Sequence, residues 1–590
     1  MSEPRTPRTG GLRGRLGSRL RRLRGLLATL AERSTVRRPL THDGWGEDRG
    51  GDPLPPGHLQ HWLLSRAERG NDHTRLRAWT EGNEVVPLVH GRTYFPELLR
   101  ALEGAGDGDL VMLTDWRGDP DELLTDDGPT VGRALSDLAR RGAVIKGLLW
   151  RSHLDRLQFS SEQNRDLSED VNDDGGEVLL DQRVRPMGSH HQKFVVIRHG
   201  GASQEQADRS RVDDVAFVGG IDLGHSRRDD AEHGGDPQTQ PFSRRYGDSP
   251  AWHDVQVRLR GPVVREVEDV FRERWEDPAQ LTRLPWQVVP DLLRRLDRDA
   301  SDLPEARPDP PAAGTCAVQL LRTYPNRHPG YPFAPDGERS AARGYAKVMR
   351  RARRLVYLED QYLWSTDVAR VFADALSREP GLHLVAVVPR WPDQDGRFRL
   401  PPVHLGHAQA LNMVRQAGGE RVQVVDLENR SGAAVYVHAK VSVVDDVWAS
   451  VGSDNFNRRS WTHDSELTAA VVDTARDDRA PVDPGGLGDG ARRFARDLRL
   501  ELMREHLDRA VGEDGDLLDP ESAVAALRAS VTALDDWYDG GQVGARPAGR
   551  LRRHMLVEPP LWQKVLATPA YRVLVDPDGR PPGMRLRRRM

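Results

Sequence analysis

Cysteine is almost missing. Cys316 is the only one in 590 residues, which excludes a disulfide within the chain and any thiolate metal cluster. That fits a reducing compartment, and Cys316 beside Val318 reads as a small core residue. Long apolar runs are missing too. The longest, such as residues 382–389, stop far short of the ~20 residues a membrane-spanning helix needs. With 37% hydrophobic and 30% charged residues, the expectation is a soluble protein with a large core. Lysine is the third scarcity: of 86 basic residues only Lys146, Lys193, Lys347, Lys440 and Lys564 are lysine. A lysine that recurs in a pattern is therefore informative. At ~150 residues per domain the length suggests about four units, and two large lobes fit it equally.

The formal net charge of −4 hides a division. Residues 1–40 hold eleven arginines against Glu3 and Glu32, a net +9. Residues 541–590 hold ten arginines and Lys564 against Glu558, Asp576 and Asp578, a net +8, so the body between carries −21. Basic ends on an acidic body point toward an anionic surface, lipid headgroups or nucleic acid. In the amino-terminal arm Leu12, Leu16, Leu20, Leu23, Leu27 and Leu30 recur at steps of three and four, with arginines between them. That spacing predicts a basic amphipathic helix. Arg24 and Glu32 interrupt the only candidate signal-peptide core, so the arm is read as uncleaved. The expectations are transient docking on an acidic membrane face, worth about 1 kcal/mol per basic residue, a helix packed on the body, or a disordered arm.

Composition divides the rest. The expected units are the basic arm 1–45, a first lobe 80–285, a Pro/Asp-rich linker 286–314, a second lobe 315–475, a helical extension 491–540 and a basic tail 541–590. Both lobes alternate strand-like and helical runs. The first closes on a helix from Val263 to Trp275; the second alternates helix and strand from about 342 to 472.

Internal repetition is the decisive feature. The first lobe reads His190-His191-Gln192-Lys193-Phe194-Val195-Val196-Ile197, then Phe217-Val218-Gly219-Gly220-Ile221-Asp222. The second reads Val437-His438-Ala439-Lys440-Val441-Ser442-Val443-Val444-Asp445, then Val451-Gly452-Ser453-Asp454-Asn455. In each lobe His-x-Lys opens an apolar strand, a second strand ends in a pair of small residues, and an acid, Asp254 or Glu466, opens a third. The first copy carries an insertion between Arg198 and Asp213. With twenty histidines and five lysines in 590 residues, chance supplies about 0.17 His-x-Lys pairs; two occur.

On a strand, residues i and i+2 share a face, so each motif sets an imidazole beside an ammonium. Two copies facing across a pseudo-twofold would gather two of each. Two ammonium groups suit a phosphodiester, whose nonbridging oxygens gain charge as phosphorus becomes five-coordinate. One imidazole attacks phosphorus; the other protonates the departing alkoxide and then activates water or an alcohol. Each histidine needs a carboxylate on its other ring nitrogen, and Asp254 and Glu466 are the candidates. Gly219-Gly220 and Gly452-Ser453 are expected to let backbone approach phosphate. Asn455 is expected to donate to a phosphoryl oxygen, and its counterpart Asp222 to orient Lys193 or a backbone amide.

These residues resemble the phospholipase D superfamily, whose signature is a duplicated His-x-Lys-x4-Asp followed by a Gly-Gly or Gly-Ser turn. The second copy fits fully through His438, Lys440, Asp445 and the run from Gly452 to Ser460. His190 to Lys193, Phe217 to Leu223 with Arg227 and Asp229, Trp252-His253-Asp254, Glu359 to Tyr362 and Val388 to Pro392 are similar to eukaryotic-type enzymes acting on phosphatidylcholine-like lipids. The resemblance covers about 85–475. It implies an α/β fold of two pseudo-twofold-related α-β-α sandwich lobes with mixed central sheets, here with a helical C-terminal extension. It further implies one site between the lobes, a phosphohistidine intermediate on His191, His438 as acid and base, and no cofactor or metal. Phosphatidic acid would be the product with water, and headgroup exchange would follow with a primary alcohol.

One position departs: Arg198 stands where the first copy should carry an acid, and Asp213 or Asp214 is the candidate substitute. Asp445 lies at the far end of a strand from His438, roughly 20 Å away at ~3.3 Å per residue, so its role is expected to be structural. Asp170-x-Asn172-x-Asp174-Gly175 imitates a calcium loop, but Glu177 stands where an apolar residue belongs, and the reading is an acidic solvated insertion. The polar loop from His233-Gly234-Gly235-Asp236 to Arg245 is either a headgroup rim or plain surface. Three functions compete: phospholipid hydrolysis or headgroup exchange; a cardiolipin-synthase-like phosphatidyltransferase or nucleic-acid phosphodiesterase; and a noncatalytic anion-binding scaffold. The acidic body disfavours nucleic acid. The expected partners are a phospholipid substrate and, through the basic ends, an anionic membrane surface. The expected location is the cytoplasm or the inner membrane face.

Overall fold

Strand runs such as Leu110–Asp115 and Phe194–Arg198 are buried at every position, the pattern of strands covered on both faces. The computed structural model describes residues 54–587 apart from 154–160, 201–212, 283, 295, 297–298 and 396–399. The expected amphipathic arm and most of the first-copy insertion lie outside the described residues.

The first lobe supplies β1 (Thr80–Val89), β2 (Leu110–Asp115), β3 (Val144–Trp150), β4 (Glu177–Asp181), β5 (Phe194–Arg198), β6 (Val215–Gly219), the short β7 (Ala251–His253) and β8 (Val255–Arg260). The second supplies β9 (Cys316–Tyr324), the short β10 (Glu338–Arg339), β11 (Leu355–Asp360), β12 (His383–Val387), β13 (Val422–Glu428), β14 (Ala434–Val437), β15 (Lys440–Val444), β16 (Trp448–Gly452) and β17 (Glu466–Asp473), with β18 (Leu551–Arg553) added later. In the first sheet the order is 4-3-2-5-6-8-1, with β2 to β4 parallel and the other neighbours antiparallel. The second repeats it as 13-12-11-15-16-17-9, and β1 pairs with β9 to join the two.

The registers match as well as the order. Phe194 faces Val218 as Val441 faces Val451, and Gly219 faces Gln256 as Gly452 faces Thr468. Asp254 and Glu466 are therefore equivalent positions. Helices cover the outer face of each sheet, with Phe95 and Leu135 against Val111 and Val195 in the first lobe, and Phe372 and Leu411 against Val356 and Ala386 in the second. The inward faces form one core with the helices Val263–Trp275 and Arg493–His506. This is a mixed α/β fold of two related lobes, as the resemblance implies.

Several boundaries differ from the composition reading. The segment 286–314 is not wholly a linker, because the helix Pro285–Arg294 starts there. It is held by polar side chains, Asp291 to Arg151 at 2.5 Å and Gln287 to Gln182 at 2.7 Å, a face that composition disguises. The extension 491–540 packs into the body: Leu498 and Leu502 of its first helix lie in the inner core, and Arg496 and Arg499 bind the buried Asp446. The stretch 541–590 is not a free basic tail. It adds β18 to β13, and Arg550, Arg552, Arg546 and Arg580 pair with Asp508, Asp535, Glu428 and Asp578. The calcium-like stretch runs through the helix Ser161–Asp173, where Asn172 binds Val178 through backbone N–H and carbonyl. Among the described residues no helix is long and apolar enough to cross a membrane.

Candidate active site

Each His-x-Lys motif leads into its strand and is stitched to the other lobe. The His191 amide donates to the Ser465 carbonyl and the Ser465 amide to the Ser189 carbonyl, both at 2.9 Å. Reciprocally, β14 runs parallel to β7, and the His438 amide donates to the His253 carbonyl at 2.8 Å. The residues following Ser465 and His253 are Glu466 and Asp254, so each lobe delivers its carboxylate to the other lobe's histidine.

Nδ1 of His191 lies 2.9 Å from Glu466 Oε2, and Nδ1 of His438 lies 2.6 Å from Asp254 Oδ2. An ionised carboxylate only accepts, so each Nδ1 carries the proton and each Nε2 presents a lone pair. The His191 side chain is 14% exposed and that of His438 is 6% exposed. Trp116 stands edge-on to His191 at 6.2 Å, and Trp252 covers His438 at 5.1 Å.

Both lysines bend back in the same way, Lys193 Nζ to the His191 carbonyl at 3.2 Å and Lys440 Nζ to the His438 carbonyl. Lys193 also meets Asp222 Oδ1 at 3.3 Å, and Lys440 meets Gln361 at 3.2 Å. Against its burial, the cations Lys193 and Arg227 hold Asp222 well below the usual carboxylate range, so it carries charge. Burial, then the charge of Asp222, push the neighbouring Asp115 well above that range. Burial, then Lys440 and Arg227, hold His438 well below the usual imidazole value, with Lys193 of the other lobe adding to the effect. Burial also pushes Lys440 down to about 8, with Asp254 opposing and Lys193 assisting. The two cationic half-sites thus act on each other, as groups around one anion site should.

The small-residue turns have a different task from the expected approach to phosphate. A Cβ on Gly220 would stand 2.2 Å from Asp254 Oδ1, one on Gly219 2.6 Å from the Val255 carbonyl, and one on Gly452 2.5 Å from Thr468 Cα. The turns make room for the strands that carry the carboxylates. Ser453, at the position equivalent to Gly220, donates its hydroxyl to Glu466 Oε2 at 2.6 Å and accepts from the Leu467 amide at 3.1 Å. Asn455 is 3% exposed, and its Oδ1 has no partner among the described residues.

Asp445 caps the chain just before β11, accepting from the amides of Arg353, Arg354 and Leu355 at 2.7–2.8 Å. In the first lobe the acid has moved to the facing strand. Asp109, just before β2, accepts from Gly200 N at 2.6 Å and pairs with His199 Nδ1 at 3.0 Å. Arg198 turns to Glu268 and Asp214; Asp214 is its partner and also binds the His199 amide, whereas Asp213 pairs with Arg260. The polar loop after His233 bridges the lobes, with Ser243 to Asp395 at 2.9 Å and Tyr246 to the Trp391 carbonyl at 2.6 Å.

The sequence reading missed Trp116, Asp115 and Asp109. Asp109 precedes β2, Asp115 ends it and Trp116 follows it, and only the pairing of β2 with β5 brings them to the motif.

Two family models cover the region with this geometry: phospholipase D matches residues 159–369, and the phospholipase D-like domain of cardiolipin synthase matches 348–479. The chain belongs to the phospholipase D superfamily. Similar proteins include phospholipase D alpha 1 of Oryza sativa subsp. japonica, 26% identical over 65% of this chain and 61% of that protein. The same-named protein of Arabidopsis thaliana is 25% identical over 74% of this chain and 66% of the relative. The chain thus spans about three-fifths to two-thirds of these relatives. Among solved structures, phosphatidylserine synthase of Haemophilus influenzae Rd KW20 aligns with a TM-score of 0.44 at 13% identity, over 66% of this chain and 82% of that one. A phospholipase D family member, Nuc, from Salmonella typhimurium aligns with a TM-score of 0.20 at 18% identity, over 27% of this chain and 84% of that one.

Proposed function

We propose that the protein hydrolyses the headgroup phosphodiester of glycerophospholipids to phosphatidic acid and can exchange the headgroup for an alcohol. The observation that carries this reading is the reciprocal pairing of each lobe's imidazole with the other lobe's carboxylate. In the proposed reaction Lys193 and Lys440 hold the phosphoryl oxygens, and Asn455 donates to one of them. The phosphodiester charge offsets the cations around His438, which takes up a proton on Nε2 as substrate binds. The His191 Nε2 lone pair forms a bond to phosphorus while the bond to the headgroup oxygen breaks, and that oxygen takes the His438 proton. Neutral His438 then removes a proton from water or an alcohol, whose oxygen attacks phosphorus and returns the electron pair to His191. Glu466 and Asp254 act as positioning residues.

Transfer to a second lipid's hydroxyl uses the same intermediate, and the cardiolipin-synthase-type match over 348–479 supports it as the second reading.

A bilayer is the proposed source of substrate. The ends of β3 and β4 and the start of β5 mark one edge of the first sheet, and the helix Pro285–Arg294 sits there with Trp286 and Leu293 65% and 81% exposed. On the matching side of the second lobe, the helix Leu561–Ala570 exposes Trp562 and Leu566 at 63% and 71%. It leads into a segment tied to Trp364 and Arg459. Apolar helical faces flanking the cleft suit the headgroup–acyl boundary.

The test is to add the purified full chain to phosphatidylcholine vesicles with and without ethanol. Choline and phosphatidic acid are expected, with phosphatidylethanol when ethanol is present, and neither His191→Ala nor His438→Ala should turn over. Absence of headgroup release from phosphatidylcholine, phosphatidylethanolamine and phosphatidylglycerol vesicles would overturn the reading.

A further inference from the structure

One layer beneath Asp254, three imidazoles surround one carboxylate. His90 Nε2 lies 2.9 Å from Glu505 Oε2, His233 Nε2 3.1 Å from Glu505 Oε1, and His253 Nδ1 3.5 Å from the same oxygen. The rings stand edge to face in a propeller with centroids 5.0–5.7 Å apart. The histidine side chains are at most 3% exposed, and Glu505 is 11% exposed.

The proton count on these rings is the anomaly. His233 Nδ1 faces the Trp252 carbonyl at 3.2 Å. A carbonyl accepts only, so the proton sits on Nδ1 and the Nε2 lone pair of the neutral ring points at a carboxylate, which also accepts only. His253 repeats the pattern in reverse. Its Nε2 gives its proton to Glu359 at 2.6 Å, and its buried Nδ1 has no hydrogen-bond partner while aimed at Glu505. Against its burial, Glu359 and Glu505 push His253 up to about 10, so that ring holds a proton toward Glu505 which a metal cation can displace, and the His233 lone pair facing the same carboxylate calls for a second positive charge between them. The outer partners, a carboxylate for His253 and a backbone carbonyl for His233, are those that orient metal-bound imidazoles. Backbone strain gives an independent sign. His90 has φ 69° and ψ 159°, a region used almost only by glycine, and His233 has φ 54°; such strain persists where surroundings fix a functional geometry.

We propose that His90 Nε2, His233 Nε2, His253 Nδ1 and a Glu505 oxygen hold one divalent transition-metal ion of the zinc class in a structural site. The four donor atoms lie within 4.8 Å of one another. A tetrahedral ion with bonds of ~2.1 Å sets its donors ~3.4 Å apart, so binding draws the widest pair together and opens the 2.9 and 3.1 Å contacts of His90 and His233 to Glu505 slightly. Three neutral imidazoles and one carboxylate suit zinc, cobalt or iron better than calcium or magnesium, which prefer all-oxygen sites. The ion takes no part in phosphoryl transfer. It would fasten the helix Arg493–His506 to both ends of the first lobe and, through the His253 peptide and the bond from His90 N to the Asp254 carbonyl at 2.9 Å, brace the strand that presents Asp254.

The test uses the full chain without a histidine tag, purified without chelators, and measures bound metal by native mass spectrometry and elemental analysis. About one zinc-class ion per chain is expected. Dipicolinate should remove it and lower the melting temperature, zinc should restore both, and cobalt should give the visible absorption of a tetrahedral nitrogen-rich site. His233→Asn should lose the ion; should that variant fail to fold, the wild-type chelation and cobalt measurements stand alone. The proposal is overturned if the isolated chain carries less than about a tenth of an ion, takes up neither zinc nor cobalt, and melts unchanged with dipicolinate. Headgroup hydrolysis by such metal-free protein would leave the proposed function intact while removing the site.

Discussion

At the scale of single residues, the account turns on how closely the small turn residues approach the positioning carboxylates. Gly220 leaves no space for a methyl group beside Asp254, so Gly220→Ala should push that carboxylate away from His438. A displacement near 1 Å at a reacting group costs about 10²-fold in rate. Headgroup release should fall by that order while the circular-dichroism melt changes little; an unchanged rate would mean that Asp254 does not position His438. Lys440 supplies a pH marker. Its value near 8 lies below that of a free lysine, so its ammonium is lost as pH rises through about 8. An anionic substrate should then bind less well, and kcat/KM should fall on that alkaline limb. Lys440→Arg, which stays charged, should remove the limb at a lower overall rate. A limb that survives the substitution would assign it elsewhere.

At the scale of elements, the acids at the strand ends hold the repeat together. Asp445 satisfies three backbone amides at the start of β11, and Asp445→Ala would leave the buried Leu355 amide and the half-buried Arg353 and Arg354 amides without that acceptor. A loss of about 2–4 kcal/mol is expected, read as a lower urea midpoint with unchanged specific activity of the folded fraction. Asp109→Ala should cost about 1–3 kcal/mol by the same logic. The strand-opening His-x-Lys motifs were legible in sequence because an apolar strand fixes which side chains share a face. The equivalence of Asp254 and Glu466 was legible for the same reason. Their exchange between lobes was not, since no periodicity says which histidine a strand-opening acid faces. Arg198 was legible as a departure, but its compensation lay in Asp109, 89 residues upstream at the start of a partner strand. His90, His233, His253 and Glu505 come from four separate segments, and nothing in their spacing joins them.

At the scale of the whole molecule, duplication explains why the two half-sites meet. Two seven-strand sheets with the same order meet at β1 and β9, and each completes the other's half-site. The acidic body noticed in the composition contains buried arginine–carboxylate networks, and the carboxyl-terminal arginines named above join them instead of forming a free basic arm. The proposed membrane docking includes the apolar helical faces, and Trp562→Glu with Leu566→Glu should weaken vesicle binding at least tenfold. Hydrolysis of a dispersed short-chain phospholipid should be unchanged; loss of both activities would place these residues in the fold instead.

The most direct measurement is to quench the full chain during turnover of a phospholipid radiolabelled at phosphorus and to map the label. One acid-labile, base-stable phosphoryl group on His191 is expected, absent from His191→Ala and formed only weakly in His438→Ala. Label on any other residue, or turnover of headgroup by His191→Ala, would contradict the two-lobe mechanism.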